Sequence, residues 1–231
     1  MKEKNLLKII GQAIQDYHMI HDNDQLWVGI STAPKSLCAL LFLFKRLNFV
    51  PIDYELHPIH ILTPDEDETS VQKWYASLSL NLSLPPLTII SLPPKGHHLY
   101  HTNPRKAILQ SLIHSCPPST TLVLGDCMED IVTSGLSALF YHQRWHIPLP
   151  HYPLTHHNIR IIRPLAYLSP SRLETYCLEQ ALPVLRPSRP SGKGKTHTKE
   201  LLSQFKTLTP HPSEQIFAAL RNPKRDYFLH F

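Results

Sequence analysis

Hydrophobic residues recur along the chain with a spacing that alternates between that of helices and that of strands. Over residues 6–17 they return every three or four positions, which predicts an amphipathic N-terminal helix. The apolar run at residues 26–30 predicts a strand, and the apolar stretch at 36–47 predicts a helix after a short loop. This order of strand, loop and helix is typical of a nucleotide-binding unit.

The alternation continues along most of the chain. A second strand is predicted near residues 49–54 or 59–62, and further strands at 87–92, 121–124 and 159–162. Helices are predicted at residues 70–80, 103–114, 129–141 and from 169 to before Pro183, with Asn103 and Pro104 suited to the N-cap and first helical position. The βαβα order predicts an α/β fold with a doubly wound parallel sheet. In such a Rossmann-like fold helices cover both faces, and ligands bind at the carboxyl ends of the strands.

The composition changes near residue 186. Five cations precede the next acid, among proline, serine and glycine residues: Arg186, Arg189, Lys193, Lys195 and Lys199. We interpret this segment as a flexible basic linker into short terminal helices, which divides the chain into an α/β domain (1–185) and a tail (186–231). Its cations could follow a phosphate backbone, or the segment could be only a solubilising linker.

Composition narrows the class of protein. The chain has 231 residues, 42% of them hydrophobic, and a net charge of +5, which is compatible with an anionic partner such as RNA. The four cysteines lack CxxC spacing, so we expect a reducing compartment. With no leader-like segment and no apolar run of about 18 residues, we expect a cytoplasmic protein that does not enter a membrane.

Several short motifs occur in a characteristic order along this βα chain. They are Ala13-Ile14-Gln15-Asp16-Tyr17, Leu124-Gly125 followed by Glu129-Asp130-Ile131, Leu139-Phe140-Tyr141, and Ile162-Arg163-Pro164-Leu165-Ala166-Tyr167. In these residues the chain resembles the PP-loop ATP pyrophosphatases and, within them, the tRNA 2-thiocytidine synthetases (TtcA-like). The resemblance implies an adenine nucleotide alpha hydrolase-like fold, ATP with Mg²⁺ as cofactor, tRNA as substrate, and sulfur transfer to an activated cytidine.

The phosphate loop departs from the family pattern SGGKDS. The matching residues are Ser31, Thr32, Ala33, Pro34, Lys35 and Ser36. Both glycines are lost, Pro34 removes one N–H donor, and Lys35 replaces the acid that manages the metal. We predict that this loop and Gly125 bind ATP through its phosphates, or else that the loop is a vestigial strand-to-helix turn.

The ligands of the family's iron–sulfur cluster are also replaced. The resemblance puts His98 and His101 at the CxxC positions, and Pro187 and Pro190 at the later cysteine pair. Because such clusters depend on thiolate ligands, we expect no iron–sulfur cluster. The two histidines could instead bind zinc, or be ordinary loop residues, and no metal ligand is assigned.

Two further sets of residues are candidates for function. Glu129 and Asp130, matching the acidic pair of the family, could orient a metal or substrate amine, although acids at a helix start are also stabilising without any function. For tRNA or other RNA we predict contacts from Arg105, Lys106, Arg160, Arg163, Arg186, Arg189, Lys193 and Lys195. A catalytically inactive member that binds only RNA or a protein remains an alternative, as do a separate sulfur-donor protein and a homodimer.

Overall fold

One six-stranded sheet forms the centre of the described structure. The computed structural model describes residues 3–79, 82–93, 100–143, 146–184, 193–205, 207 and 209–222, with the backbone alone for 142 and 193–196. The strands are β1 (Asp24–Gly29), β2 (Tyr54–Leu62), β3 (Thr88–Ser91), β4 (Thr121–Val123), β5 (His151–Leu154) and β6 (Ile159–Ile162). Their order across the sheet is β3-β2-β1-β4-β6-β5, and all pairs are parallel except β5 with β6.

Helices alternate with the strands along the chain. They are α1 (Glu3–Asp16), α2 (Pro34–Arg46), α3 (Glu68–Ser79), α4 (Pro104–Ser115), α5 (Met128–His142), α6 (Pro170–Glu179), α7 (Lys193–Phe205) and α8 (Pro212–Arg221). The Asn103 side chain accepts a hydrogen bond from the Lys106 N–H, so the predicted N-cap of α4 is confirmed. No helix within the described residues is both long and apolar enough to cross a membrane.

The sheet separates two hydrophobic cores. Leu26 and Val28 of β1 face the core built with α1, α2, α3 and α6, whereas Ile59 and Ile61 of β2 face the core built with α4. Alternate residues of β4 and β6 likewise point into different cores, as strand geometry requires. Both faces of the sheet are therefore covered, and the predicted doubly wound fold is confirmed.

The chain forms two compact units. The first comprises Met1–Cys127 and Leu149–Ser188 and contains the whole sheet. The second comprises Met128–Pro148 and Arg189–Phe231, and within it α5 packs against α7 and α8. The division into an α/β domain of residues 1–185 and a basic tail with short helices at 186–231 stays a prediction.

Three local expectations are corrected. Strand β2 is one strand through Pro58, and its ladder with β3 begins only at Ile59, so the missing proline N–H interrupts no bond to β3. Strand β5 was not predicted. It contains Pro153, which an edge strand tolerates. Terminal helices were expected after a flexible basic linker, and helix α7 begins at Lys193, within the basic segment itself.

Candidate functional site

The predicted phosphate loop lies between the end of β1 and the start of α2 and is held by two serine side chains. The Ser36 Oγ accepts a hydrogen bond from the Ser31 N–H at 2.9 Å and lies 2.9 Å from the Ser31 Oγ. The Ser31 Oγ in turn accepts from the Ala33 N–H at 3.3 Å. Helix α2 begins at Pro34, which has no N–H. Two backbone donors of the loop are therefore used inside it, and a third is missing.

Gly125, just beyond β4, packs directly on the first turn of α2. A Cβ placed on Gly125 would lie 2.7 Å from both the Cα and the backbone nitrogen of Ser36, closer than non-bonded atoms approach. Since the obstacle is backbone rather than a flexible side chain, only glycine fits at this position. The close approach joins the end of β4 to the loop after β1, as a site at the carboxyl ends of neighbouring strands requires.

Asp126 is the centre of an ion-pair cluster beside Gly125. Its carboxylate accepts hydrogen bonds from the Arg163 Nε at 3.0 Å and from an Arg105 terminal nitrogen at 2.6 Å. Arg163 follows β6 directly, is only 7% exposed, and also donates to the Leu149 carbonyl oxygen. The cluster ties the loop after β4 to the end of β6 and to the first turn of α4.

A second polar cluster lies at the end of β2. His60 is buried, with its Nδ1 3.1 Å from the Ile30 carbonyl oxygen and its Nε2 3.3 Å from the Glu66 carboxylate. The same carboxylate accepts from the N–H and the hydroxyl of Thr63, each at 2.9 Å. Burial raises the pKa of Glu66, but the hydrogen bonds from His60 and Thr63 outweigh it, so its pKa lies below the ordinary value. This cluster fixes the end of β2 to the backbone that enters the phosphate loop.

The residues around the loop can be compared with the two charged parts of Mg·ATP, its phosphates and its magnesium ion. The Lys35 charge and the start of a thirteen-residue helix suit a phosphate group. The nearby carboxylates are less suited to its magnesium ion, because Asp126 is bound by two arginines and Glu66 by His60 and Thr63. The residues thus fit the anion and do not fit its metal.

The remaining predicted residues fall in separate places. Glu129 and Asp130 lie in the first turn of α5, which belongs to the second unit, and Asp130 is buried. His98 lies outside the described residues, and His101 is exposed. Within the part of the chain that the structure describes, no group of three or more His, Cys, Asp or Glu residues could hold a metal ion.

The predicted RNA contacts do not form one track within the described residues. Arg160 lies near the start of β6 and pairs with Asp24 at the start of β1, whereas the buried Arg163 follows the other end of β6. Arg105 is half-exposed and bound to Asp126, and Lys106 is exposed. Lys193 and Lys195 belong to α7 by their backbone, whereas Arg186, Arg189, Pro187 and Pro190 lie outside the described residues.

Sequence reasoning missed Asp126, His60 and Glu66. Asp126 lies in the sequence between Gly125 and Glu129, but only the acids that follow it were considered. His60 and Glu66 lie at the end of a strand whose position was left open. Their location at the carboxyl ends of β4 and β2 was the signal that could have found them.

Known structures share this fold, in which a loop follows the first strand, as the predicted phosphate loop follows β1 here. The structure is similar to the U34-tRNA thiolase NcsA of Methanococcus maripaludis, solved with its [4Fe-4S] cluster, at a TM-score of 0.65 and 12% identity, covering 95% of this chain and 80% of that one. It is also similar to the NH3-dependent NAD synthetase of Campylobacter jejuni, at a TM-score of 0.50 and 10% identity, covering 100% of this chain and 99% of that one. The fold is that of the PP-loop and NAD synthetase type.

The sequence points to one branch of that class. The chain is 25% identical over 232 residues to the tRNA-cytidine(32) 2-sulfurtransferase of Polynucleobacter asymbioticus, covering 95% of this chain and 76% of that protein. It is 26% identical to the enzyme of the same name from Alkalilimnicola ehrlichii, covering 95% of this chain and 73% of the relative. No family model matches the chain. The resemblance to the tRNA 2-thiocytidine synthetases within the PP-loop proteins is confirmed by these relatives.

Proposed function

We propose that this chain is a tRNA-directed member of the ATP pyrophosphatase fold, similar to the 2-thiocytidine synthetases, that acts without an iron–sulfur cluster. The observation that carries the proposal is the contact of Gly125 with the first turn of α2. It keeps the ends of β1 and β4 together at the helix start where a nucleotide phosphate would bind. Relatives named as tRNA sulfurtransferases, which match 95% of the chain, support tRNA as the substrate.

Each part of the site has a definite role in this proposal. Lys35 attracts the phosphates, and the paired serines fix the loop. The Asp126 cluster holds the end of β4 next to the end of β6. ATP, when bound, would supply the activation of a base oxygen. Sulfur would come from a separate donor protein, because the positions that match the cluster cysteines carry His98, His101, Pro187 and Pro190.

One observation favours a second function, that of a catalytically inactive member that binds RNA or a protein. The Ser31 and Ala33 N–H groups bond to serine hydroxyls, and Pro34 has no N–H. A loop whose donors are used internally offers fewer hydrogen bonds to ATP than a glycine-rich loop does. In this alternative the protein has the same fold but does not bind ATP.

Thermal unfolding with Mg·ATP separates the two functions. ATP at ten times its Kd stabilises the folded state by RT ln 11, about 1.4 kcal/mol, which raises the melting temperature by about 3–6 °C. We expect Lys35→Gln to reduce this rise and Lys73→Gln, an exposed lysine of α3, to leave it unchanged. No rise at millimolar ATP, together with salt-sensitive binding of bulk tRNA, would favour the inactive alternative.

The tRNA substrate is tested in cells. We expect 2-thiocytidine to disappear from bulk tRNA when the gene is deleted and to return with the wild-type copy, measured by mass spectrometry of digested tRNA. An unchanged set of modified nucleosides would refute the proposed thiolation.

A further inference from the structure

A basic groove lies at the far end of α2 from the phosphate loop. It is a cavity of about 690 Å³ between one face of α1 and the end of α2, lined by Lys4, Lys8, Gln12, Gln15, Arg46 and Phe49 together with Leu7 and Gly11. Arg46 follows Lys35 by eleven helical residues, about 16 Å along the axis. The groove is therefore separate from the candidate nucleotide site.

The groove has charges of one sign. Its lining carries three cations, Lys4, Lys8 and Arg46, and no acidic residue. Lys4 and Lys8 are one helical turn apart on the exposed face of α1, opposite the buried Leu6 and Ile10. Cations gathered in a concave site without acids concentrate anions from solution.

Arg46 is held in the groove with an unused hydrogen-bond donor. Its Nε is buried and has no hydrogen-bond partner within the described structure. A Cβ on Gly11 would lie 2.6 Å from an Arg46 terminal nitrogen, so the guanidinium lies against the bare backbone of α1. A cation in the last turn of a helix is favoured by the helix dipole, but the dipole does not explain a buried donor without an acceptor. Arg46 also lines the groove, so an anion that enters the groove would meet the guanidinium charge, and a small rotation of the side chain would bring the Nε to an acceptor.

The other lining groups indicate which anion fits. Phe49, which is 58% exposed, lines the groove together with the exposed residues Gln12 and Gln15. An aromatic ring next to cations is the combination that binds nucleic acid, because bases stack on the ring while the cations hold the phosphates. The cavity lies in the size range of ligand sites, about 300–1,000 Å³.

We propose that the groove formed by Lys4, Lys8, Arg46 and Phe49 binds the sugar–phosphate strand of an RNA. This inference rests on the proposed tRNA-directed function, in which tRNA is the substrate. The groove is a docking site for tRNA away from the reacting base. It holds the body of the tRNA while another part of the molecule reaches the carboxyl edge of the sheet.

Lysine substitutions test the groove, with fluorescently labelled bulk tRNA as the probe. Each neutralised phosphate contributes about 0.7–0.9 to the salt slope, which at 0.15 M salt is about four- to fivefold in affinity. The Lys4→Gln/Lys8→Gln variant should therefore bind about 15- to 30-fold more weakly, with a salt slope lower by about two. Lys73→Gln, a matched exposed lysine, should change affinity by less than about twofold.

The outcomes separate this inference from the proposed function. Normal wild-type binding of tRNA with unchanged affinity in the double variant would overturn the groove alone. No binding by the wild type would overturn both the groove and the tRNA substrate. AMP is the second probe: if the double variant loses affinity for AMP as much as for tRNA, the groove is a mononucleotide site and the assignment to an RNA strand is wrong. Both lysines are exposed, so we expect the double variant to keep the wild-type melting temperature. That measurement shows whether the variant folds.

Discussion

The Asp126 cluster offers a sharp test of how the site is held together. Replacing Asp126 by alanine leaves the buried Arg163 guanidinium with one strong acceptor, the Leu149 carbonyl oxygen. Arg105 loses the same partner, but its side chain is 48% exposed and can turn to water. The two arginines therefore make very different contributions to the expected loss of stability.

The magnitude follows from burial. The side chains of Arg163 and Asp126 are only 8% and 16% exposed, and breaking a buried pair by removing one partner costs about 3–5 kcal/mol. The Leu149 carbonyl remains, so we expect the lower end, about 3 kcal/mol, or a melting temperature lower by about 6–12 °C. Arg105→Ala should cost less than about 1 kcal/mol, because an exposed ion pair contributes little.

Urea unfolding of four proteins measures these differences: the wild type, Asp126→Ala, Arg105→Ala, and Asp126→Ala combined with Arg163→Met. The last variant removes the buried charge together with its partner and should regain part of the stability that Asp126→Ala loses. The reasoning is refuted if Asp126→Ala costs no more than Arg105→Ala, or if adding Arg163→Met lowers stability further.

Three other outcomes are expected. Gly125→Ala should lower stability by about 1–3 kcal/mol, because its Cβ would meet the Ser36 backbone at 2.7 Å. Gly135→Ala in α5 should cost less, because its Cβ would meet only the movable Ile147 side chain, at 3.3 Å, and alanine favours the helix; urea midpoints compare the two variants, and equal midpoints would contradict the contact at Gly125. Because the folded pKa of Glu66 is depressed, its contribution is present above the unfolded pKa and is lost as pH falls through the folded pKa; the stability gap between wild type and Glu66→Gln should close on acidification, and a constant gap would be inconsistent with this. Burial raises the pKa of Cys116 to about 12, so this thiol should react with a disulfide reagent at pH 8 only after unfolding, and rapid labelling of the native protein would count against its burial.

Local pattern was sufficient for most helices and strands, because each depends on neighbours within a few residues. The three- and four-residue spacing that predicted α1 reappears as its buried positions, among them Leu6, Ile10 and Ala13. The N-cap at Asn103 was predictable for the same reason, since its hydrogen bond spans three residues. Strand β5 was not predicted because His151, Tyr152 and Pro153 show no strand pattern. Only their pairing with β6 makes them a strand.

The relation between distant residues was decided by the tertiary structure. Arg160 and Arg163 are three positions apart and were assigned to one RNA track, yet they lie at opposite ends of β6 and each is paired with a different aspartate. Cys38 and Cys177 appeared unrelated in the sequence, and the packing of α2 on α6 brings their sulfur atoms to 3.4 Å.

The sequence by itself thus determined the alternation of most helices and strands, the doubly wound fold and the family resemblance, because periodicity and capping are encoded locally. The tertiary structure decided that serine hydroxyls accept from the loop's own N–H groups, that Asp126 holds Arg163, and that Arg46 packs against Gly11 in the middle of α1 to form a groove. These contacts join residues from separate elements. The hydrophobic packing of those elements sets the distances between them, and no local pattern records it.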